Sequence, residues 1–166
     1  AYQSYLFNAW LSERIDFSHL VNNFNANELQ AHHKIWESDV YKTLKSQTQF
    51  FKLLEGDVIS HYPHGRLFNV EDESAEAARF ANKDITPTGL LSGTKVKAST
   101  SRAFEIEKKY QYDIALYGDR RFAWIFPEIE LFEYKEEKAQ AEITFTLPKG
   151  AYATNLIEEL CKRPLV

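Results

Sequence analysis

The sequence predicts an α+β fold of mixed helices and mostly antiparallel strands. Over residues 2–15, apolar side chains recur at the spacing of one helix face. Over residues 141–147, the stretch AEITFTL, apolar and polar side chains alternate as they do along a half-buried strand. Both patterns occur in one chain without any internal repeat or low-complexity segment, which is typical of a mixed globular protein.

The segments before residue 124 are predicted in chain order from the same patterns. Residues 27–48 have the helical pattern with an interruption, and residues 72–81 form a short alanine-rich helix capped by the aspartate that begins it. Residues 50–62 hold two short apolar runs around a Gly-Asp step, which indicates a hairpin. The proline and glycines of DITPTGLLSG, residues 84–93, predict a loop, and residues 101–117 are predicted as a helix.

Pattern and composition change at residues 124–127, so the chain is predicted to have two parts that divide near residue 125. Residues 128–134 and 141–147 then form two strands joined across KEEKAQ. The apolar stripe over residues 153–160 predicts a final helix, which Thr154 or Asn155 can cap.

Composition and charge exclude several classes of protein. The chain has 166 residues with 20 basic and 24 acidic side chains, a net charge of −4, which argues against a general polyanion-binding module but permits a local basic groove. Cys161 is the single cysteine, so an internal disulfide is impossible and a reducing, cytosolic compartment is expected. No apolar run approaches the roughly 18 residues of a membrane span.

Because the helical pattern begins at once, we interpret residue 1 as a cut point within a larger protein; a short processed N-terminus is the alternative.

Few residues suggest chemistry by their type and spacing. His61 and His64 flank a Tyr-Pro step without a third ligand, so a polar loop is a simpler interpretation than a metal site. Cys161 has no neighbouring partner that would make it a nucleophile. Arg120 and Arg121 lie beside the predicted boundary, where they are either solvated surface charges or phosphate ligands.

Tyr152 is the most informative candidate. It follows Gly150 at the step from the last strand to the last helix, in LPKGAYATNLIEEL, residues 147–160. A ring at this position can stack on a planar ligand such as a nucleobase. It can equally fill a gap over the helix, and the residues alone leave both interpretations open.

Five motifs stand in the order seen in one enzyme family. They are AYQSYLFNAWL (1–11), LLEGD (53–57), DITPTGLLSG (84–93), DRRFAWIFP (119–127) and LPKGAYATNLIEEL (147–160). With these motifs the chain resembles the C-terminal portion of the TruD family of tRNA pseudouridine synthases. The resemblance implies isomerisation of uridine, at position 13 of tRNA in bacterial members, without cofactor or metal.

The resemblance also implies a domain arrangement and a set of site residues. Residues 1–124 correspond to the family's insertion domain, and residues 125–166 to the C-terminal part of its catalytic domain. Tyr152 takes the position of the aromatic residue that lies against the target base, with Gly150 as the turn. RNA contacts are expected from Arg120, Arg121 and Lys149.

Some family features are missing from this sequence. The family's aspartate nucleophile lies in a Gly-x-Lys-Asp motif that these 166 residues do not contain, so the resemblance implies tRNA and the N-terminal half of the same enzyme as partners. Glu158, Thr86 and Ser92 stand where the family often has arginine, histidine and tryptophan. The alternative function is a non-catalytic RNA-binding or interaction module, against which the net charge speaks.

Overall fold

The computed structural model describes residues 1–33 and 36–164 and divides into two compact units, residues 1–124 and residues 125–166. Both units combine helices with antiparallel strands, so the prediction of an α+β fold is confirmed. The assignment of the units to an insertion domain and a catalytic domain stays a prediction. None of the described helices is long and apolar enough to cross a lipid bilayer.

The described residues of the first unit form five helices and a four-stranded sheet. The helices are α1 (Tyr2–Asn23), α2 (Ala26–His33), α3 (Ser38–Ser46), α4 (Glu73–Ala81) and α5 (Ser101–Glu107), the last followed by a 3₁₀ turn at Lys108–Tyr110. The strands are β1 (Val58–His61), β2 (Leu67–Asn69), β3 (Ile85–Leu91) and β4 (Asp119–Phe122). They pair antiparallel in the order β2-β1-β3-β4.

The core of this unit lies where α1 packs on β3. Gly89 permits the contact, because a Cβ atom built on it would lie 2.3 Å from the Trp10 ring and 2.6 Å from the Phe7 ring. Leu6, Trp10 and Val21 of α1 are buried together with Ile59 and Leu90 of the sheet. The helical stripe predicted over residues 2–15 therefore faces this core, and the helix continues to Asn23.

The second unit is smaller and consists of one hairpin and one helix. Strands β5 (Glu128–Lys135) and β6 (Gln140–Thr146) pair antiparallel across a 3₁₀ turn at Glu136–Lys138, and α6 spans Ala153–Cys161. These elements confirm the predicted strands and final helix. Among the residues that the structure describes in this unit, none is fully buried.

Several predicted elements differ from the structure. The loop predicted over residues 84–93 is wrong, since Ile85–Leu91 forms the inner strand β3 despite its proline and glycine. The hairpin around Gly56 and Asp57 is also wrong: that step is a turn, and the hairpin joins β1 to β2 one element later. The helix predicted to residue 117 ends at Glu107.

Other predicted helices agree with the structure. Asp72 caps α4 by accepting hydrogen bonds from the N–H groups of Ser74 and Ala75, at 2.9 and 3.0 Å. The interrupted helix over residues 27–48 is present as α2 and α3, and residues 34–35 of the interruption lie outside the described part of the chain.

Candidate functional site

The turn between β6 and α6 presents the candidate site. The Ala151 N–H donates to the Pro148 carbonyl at 3.1 Å, and Gly150 has a φ of +90°. A turn closed by this bond with a positive φ at its third residue is a type II turn, which strongly favours glycine there. The turn therefore directs the chain from the strand into the helix and exposes Lys149 at its tip.

Tyr152 lies directly after this turn, at the N-cap position of α6. Its backbone is extended, with φ −113° and ψ 122°, and its side chain is 59% exposed. A phenol ring at the start of a helix and open to solvent can stack on a planar group. Along the chain, Lys149 precedes Gly150 and Tyr152 follows it.

Two details of this turn differ from expectation. Within the described part of the chain, no side chain caps α6, so Thr154 and Asn155 do not have the predicted capping role. Gly150 is required for its positive φ and not for close packing, because no described atom lies within 4 Å of the position of a Cβ.

Arg120 does not occupy the kind of position that phosphate binding requires. It lies on β4 with its side chain 2% exposed, and its Nη1 forms an ion pair of 2.8 Å with the equally buried Glu107. Its Nε donates to the Thr88 hydroxyl at 3.1 Å and its Nη2 to the Thr88 carbonyl at 3.2 Å. Burial lowers the pKa of Arg120, and Glu107 counteracts the shift. The expectation that Arg120 contacts RNA is therefore corrected: this arginine has a structural role.

Arg121, the next residue on β4, is only half-buried. Its Nη2 donates to the Ser4 hydroxyl at 3.3 Å, and its guanidinium carbon lies 5.2 Å from the centre of the Phe7 ring. None of the carboxylates in the described residues forms an ion pair with it. Arg121 is therefore the member of the arginine pair whose charge is available to an external anion. It lies in the first unit, whereas Lys149 and Tyr152 lie in the second.

A second buried ion pair holds the LLEGD motif. Asp57 receives two hydrogen bonds from Arg14, at 2.5 and 2.8 Å, and one from the Leu54 N–H at 2.8 Å. The Arg14 guanidinium also lies 4.9 Å from the centre of the Phe51 ring. This pair could not be predicted from the sequence, because its two members are 43 positions apart and only Asp57 stands in a recognisable turn.

The residues of the 84–93 segment are also structural. The Thr86 hydroxyl donates to the Trp124 carbonyl at 2.5 Å, and the Ser92 hydroxyl donates to the Tyr110 carbonyl at 2.6 Å. His61 and His64 are exposed, and no group of three or more metal-ligating side chains occurs in the described residues. Cys161 is an exposed free thiol.

Comparison with known proteins identifies the family. The family model described as tRNA pseudouridine synthase D (TruD) matches residues 29–160, which is most of the chain and includes the turn that carries Tyr152. The chain belongs to the TruD family. The resemblance drawn from its five motifs is thereby confirmed.

Relatives in the TruD family extend over the whole chain. The tRNA pseudouridine synthase D of Sulfurimonas denitrificans is 49% identical over 100% of this chain, which corresponds to 46% of that relative. The enzyme of Nitratiruptor sp. is 49% identical over 99% of this chain and 46% of its own length. That of Helicobacter pylori (strain 26695) is 42% identical over 96% of this chain and 44% of its own length. The chain thus spans about half the length of the curated relatives that it matches.

A solved structure is also similar. The crystal structure reported for a tRNA pseudouridine synthase D (TruD) of Methanosarcina mazei aligns with a TM-score of 0.49 and 18% identity. The alignment covers 88% of this chain and 45% of that one.

Proposed function

We propose that this chain forms part of a tRNA pseudouridine synthase of the TruD type, which isomerises uridine at position 13 of tRNA to pseudouridine. The observation that carries the proposal is the family match over residues 29–160, which includes an exposed tyrosine in the motif whose aromatic residue is expected to meet the base. The enzyme works without cofactor or metal and in the cytoplasm, where a single unpaired cysteine is expected to stay reduced.

The reaction exchanges one glycosidic bond for another. An aspartate attacks the sugar, the bond from the sugar to the base nitrogen breaks, and the base turns and rejoins through carbon, which then loses its proton. No Gly-x-Lys-Asp motif occurs among these 166 residues. The aspartate is therefore contributed by the N-terminal half of the same enzyme, which we propose as the partner of the second unit.

The exposed apolar surface of the second unit supports such a partner. Phe132 and Tyr134 of β5 are 65% and 62% exposed, and Ile129 is 52% exposed. A two-stranded sheet is marginally stable in water unless more strands or a helix cover it. The remainder of a catalytic domain would bury these side chains.

Within this enzyme, Tyr152 supports the displaced uracil ring by stacking, since it directly follows the β6–α6 turn and is open to solvent. Lys149 and Arg121 contribute contacts to RNA phosphates, because both are accessible cations outside the ion pairs of the described chain. Arg120 has no such role.

The proposal is tested with the full-length protein and a tRNA transcript labelled with tritium at C5 of uridine. Isomerisation releases this tritium to water, and a second transcript that carries cytidine at position 13 provides the matched control. Release from the first transcript alone is expected. Equal release from both would exclude position 13, and absence of release from either would overturn the assignment as a synthase.

A further inference from the structure

The β1–β2 hairpin of the first unit is a basic element on a protein of net negative charge. Between Asp57 and Glu71 the sequence VISHYPHGRLFNV, residues 58–70, contains two histidines and one arginine and no acidic residue. The tip, residues 62–66, connects β1 to β2, and His61, His64 and Arg66 are all exposed. Arg66 thus gives the hairpin a positive charge that no acidic residue within it offsets.

One side of the hairpin contains a contact between two rings and an arginine. The ring centres of His61 and Phe68 are 4.9 Å apart, and the Arg79 guanidinium carbon lies 5.4 Å from the centre of the Phe68 ring. The Arg79 Nη2 is 3.3 Å from His61 Nδ1. A guanidinium only donates hydrogen bonds, so the tautomer of His61 that completes this contact has Nδ1 as the acceptor and leaves Nε2–H as a donor on an exposed side chain.

Arg66 supplies the strongest donor of the hairpin. Its backbone carbonyl accepts a hydrogen bond from the His61 N–H at 3.5 Å. Within the described residues its guanidinium has no carboxylate partner, whereas the nearby Arg79 is neutralised by Glu76 at 2.8 Å. An exposed guanidinium in the same hairpin as two exposed imidazoles matches the recognition of phosphate oxygens.

We propose that this hairpin binds the phosphate backbone of the RNA substrate through Arg66, His61 and His64. The inference deepens the proposed function and rests on it, because it identifies a surface of the first unit that contacts the tRNA. RNA is favoured over an acidic protein partner because the exposed imidazoles of His61 and His64 lie in the same hairpin as the exposed Arg66, a combination suited to phosphates flanked by bases. A contact of this type carries no sequence information and helps to position the tRNA.

The test uses the full-length protein, an unmodified tRNA transcript and two variants, one in each of two hairpins. Arg66→Ala removes the proposed contact, and Lys138→Ala removes an exposed cation from the acidic tip of the β5–β6 hairpin, where it follows Glu136 and Glu137. Both variants change the net charge equally. Equilibrium binding is measured across roughly 50–200 mM salt, together with kcat and KM for pseudouridine formation.

Arg66→Ala is expected to lower tRNA affinity roughly fivefold near 0.15 M salt and to reduce the slope of log K against log salt by about one unit. KM should rise with kcat unchanged, and Lys138→Ala should leave the affinity, slope and KM at the wild-type values. Thermal unfolding should be the same for both variants and the wild type, since neither side chain forms an ion pair within the described residues.

The outcomes separate this inference from the proposed function. If Arg66→Ala and Lys138→Ala have the same effect, or if Arg66→Ala leaves tRNA binding unchanged, the hairpin does not bind RNA and serves another contact. If the wild-type protein binds tRNA in an Arg66-dependent manner but forms no pseudouridine, the inference stands and the synthase assignment fails. If the wild-type protein does not bind tRNA, both fail.

Discussion

At the scale of single residues, substitutions of Tyr152 separate the contribution of its aromatic ring from that of its hydroxyl. Stacking on a displaced base is worth roughly 1–3 kcal/mol by alanine substitution. Tyr152→Ala in the full-length enzyme should therefore lower the rate of pseudouridine formation roughly 5- to 150-fold while tRNA affinity stays nearly intact, because phosphate contacts dominate binding. Single-turnover rates and filter binding measure the two quantities.

Tyr152→Phe is the matched variant. If the ring only supports the base, phenylalanine should retain most of the activity, which is our expectation. If the hydroxyl removes the proton from the rejoined base carbon, phenylalanine should lose roughly the 10²–10⁴-fold typical of general base catalysis. A correctly folded Tyr152→Ala enzyme with the wild-type rate would contradict both roles.

The adjacent arginines of β4 predict opposite phenotypes. Arg120→Ala would leave the carboxylate of Glu107 buried without its cation, so we expect a loss of roughly 3–5 kcal/mol in the free energy of unfolding. Arg121→Ala should change stability little and reduce the salt slope of tRNA binding by about one unit. Urea unfolding and salt-dependent binding check the pair, and the interpretation of Arg120 fails if its alanine variant is as stable as that of Arg121.

At the scale of elements, the β6–α6 turn determines which substitutions position 150 tolerates. Only glycine adopts a φ of +90° at no steric cost, and asparagine tolerates the third position of a type II turn better than other residues. Gly150→Asn should therefore retain much of the activity, whereas Gly150→Val should lower pseudouridine formation by about tenfold, since a left-handed backbone costs an L-residue roughly 1–2 kcal/mol. The volume of the new side chain is not the cause, because the surrounding space is open. Equal activity of the two variants would show that the turn does not position Tyr152.

Elements with a single clear period could be predicted from the sequence. The stripe of α1, the alternation of β6 and the aspartate cap of α4 each depend on neighbouring residues alone. Strand β3 could not be predicted, because its proline and glycine have the local signature of a loop. Burial between β1, β4 and α1 overrides that signature, and Gly89 is needed there for contact with Trp10.

The site was predictable to a similar extent. The position of Tyr152 after a glycine turn follows from local sequence. The different environments of Arg120 and Arg121 do not, because the strand directs the two side chains to opposite faces and only the fold brings Glu107 to one of them. The β1–β2 hairpin could not be predicted as a site, because two histidines three positions apart suggest a metal site and do not point to Arg66.

At the scale of the whole molecule, the 166-residue chain alone should have no synthase activity. It contains no aspartate in the Gly-x-Lys-Asp context, and its second unit exposes the apolar side chains that a complete catalytic domain would cover. The tritium-release assay on the purified chain should stay at background, with the full-length protein as the positive control. Turnover above background would show that the nucleophile lies within these residues.

The buried ion pairs Arg14–Asp57 and Arg120–Glu107 also limit how the sequence of the first unit can evolve. Replacing one member of Arg14–Asp57 or Arg120–Glu107 leaves a buried charge without compensation, at about 3–5 kcal/mol of a total stability that is typically only 5–15 kcal/mol. Replacing both members with apolar side chains of similar volume can be neutral or stabilising. Neutral evolution at these four positions therefore requires two coordinated substitutions, because the intermediate that carries one substitution is strongly destabilised and is selected against.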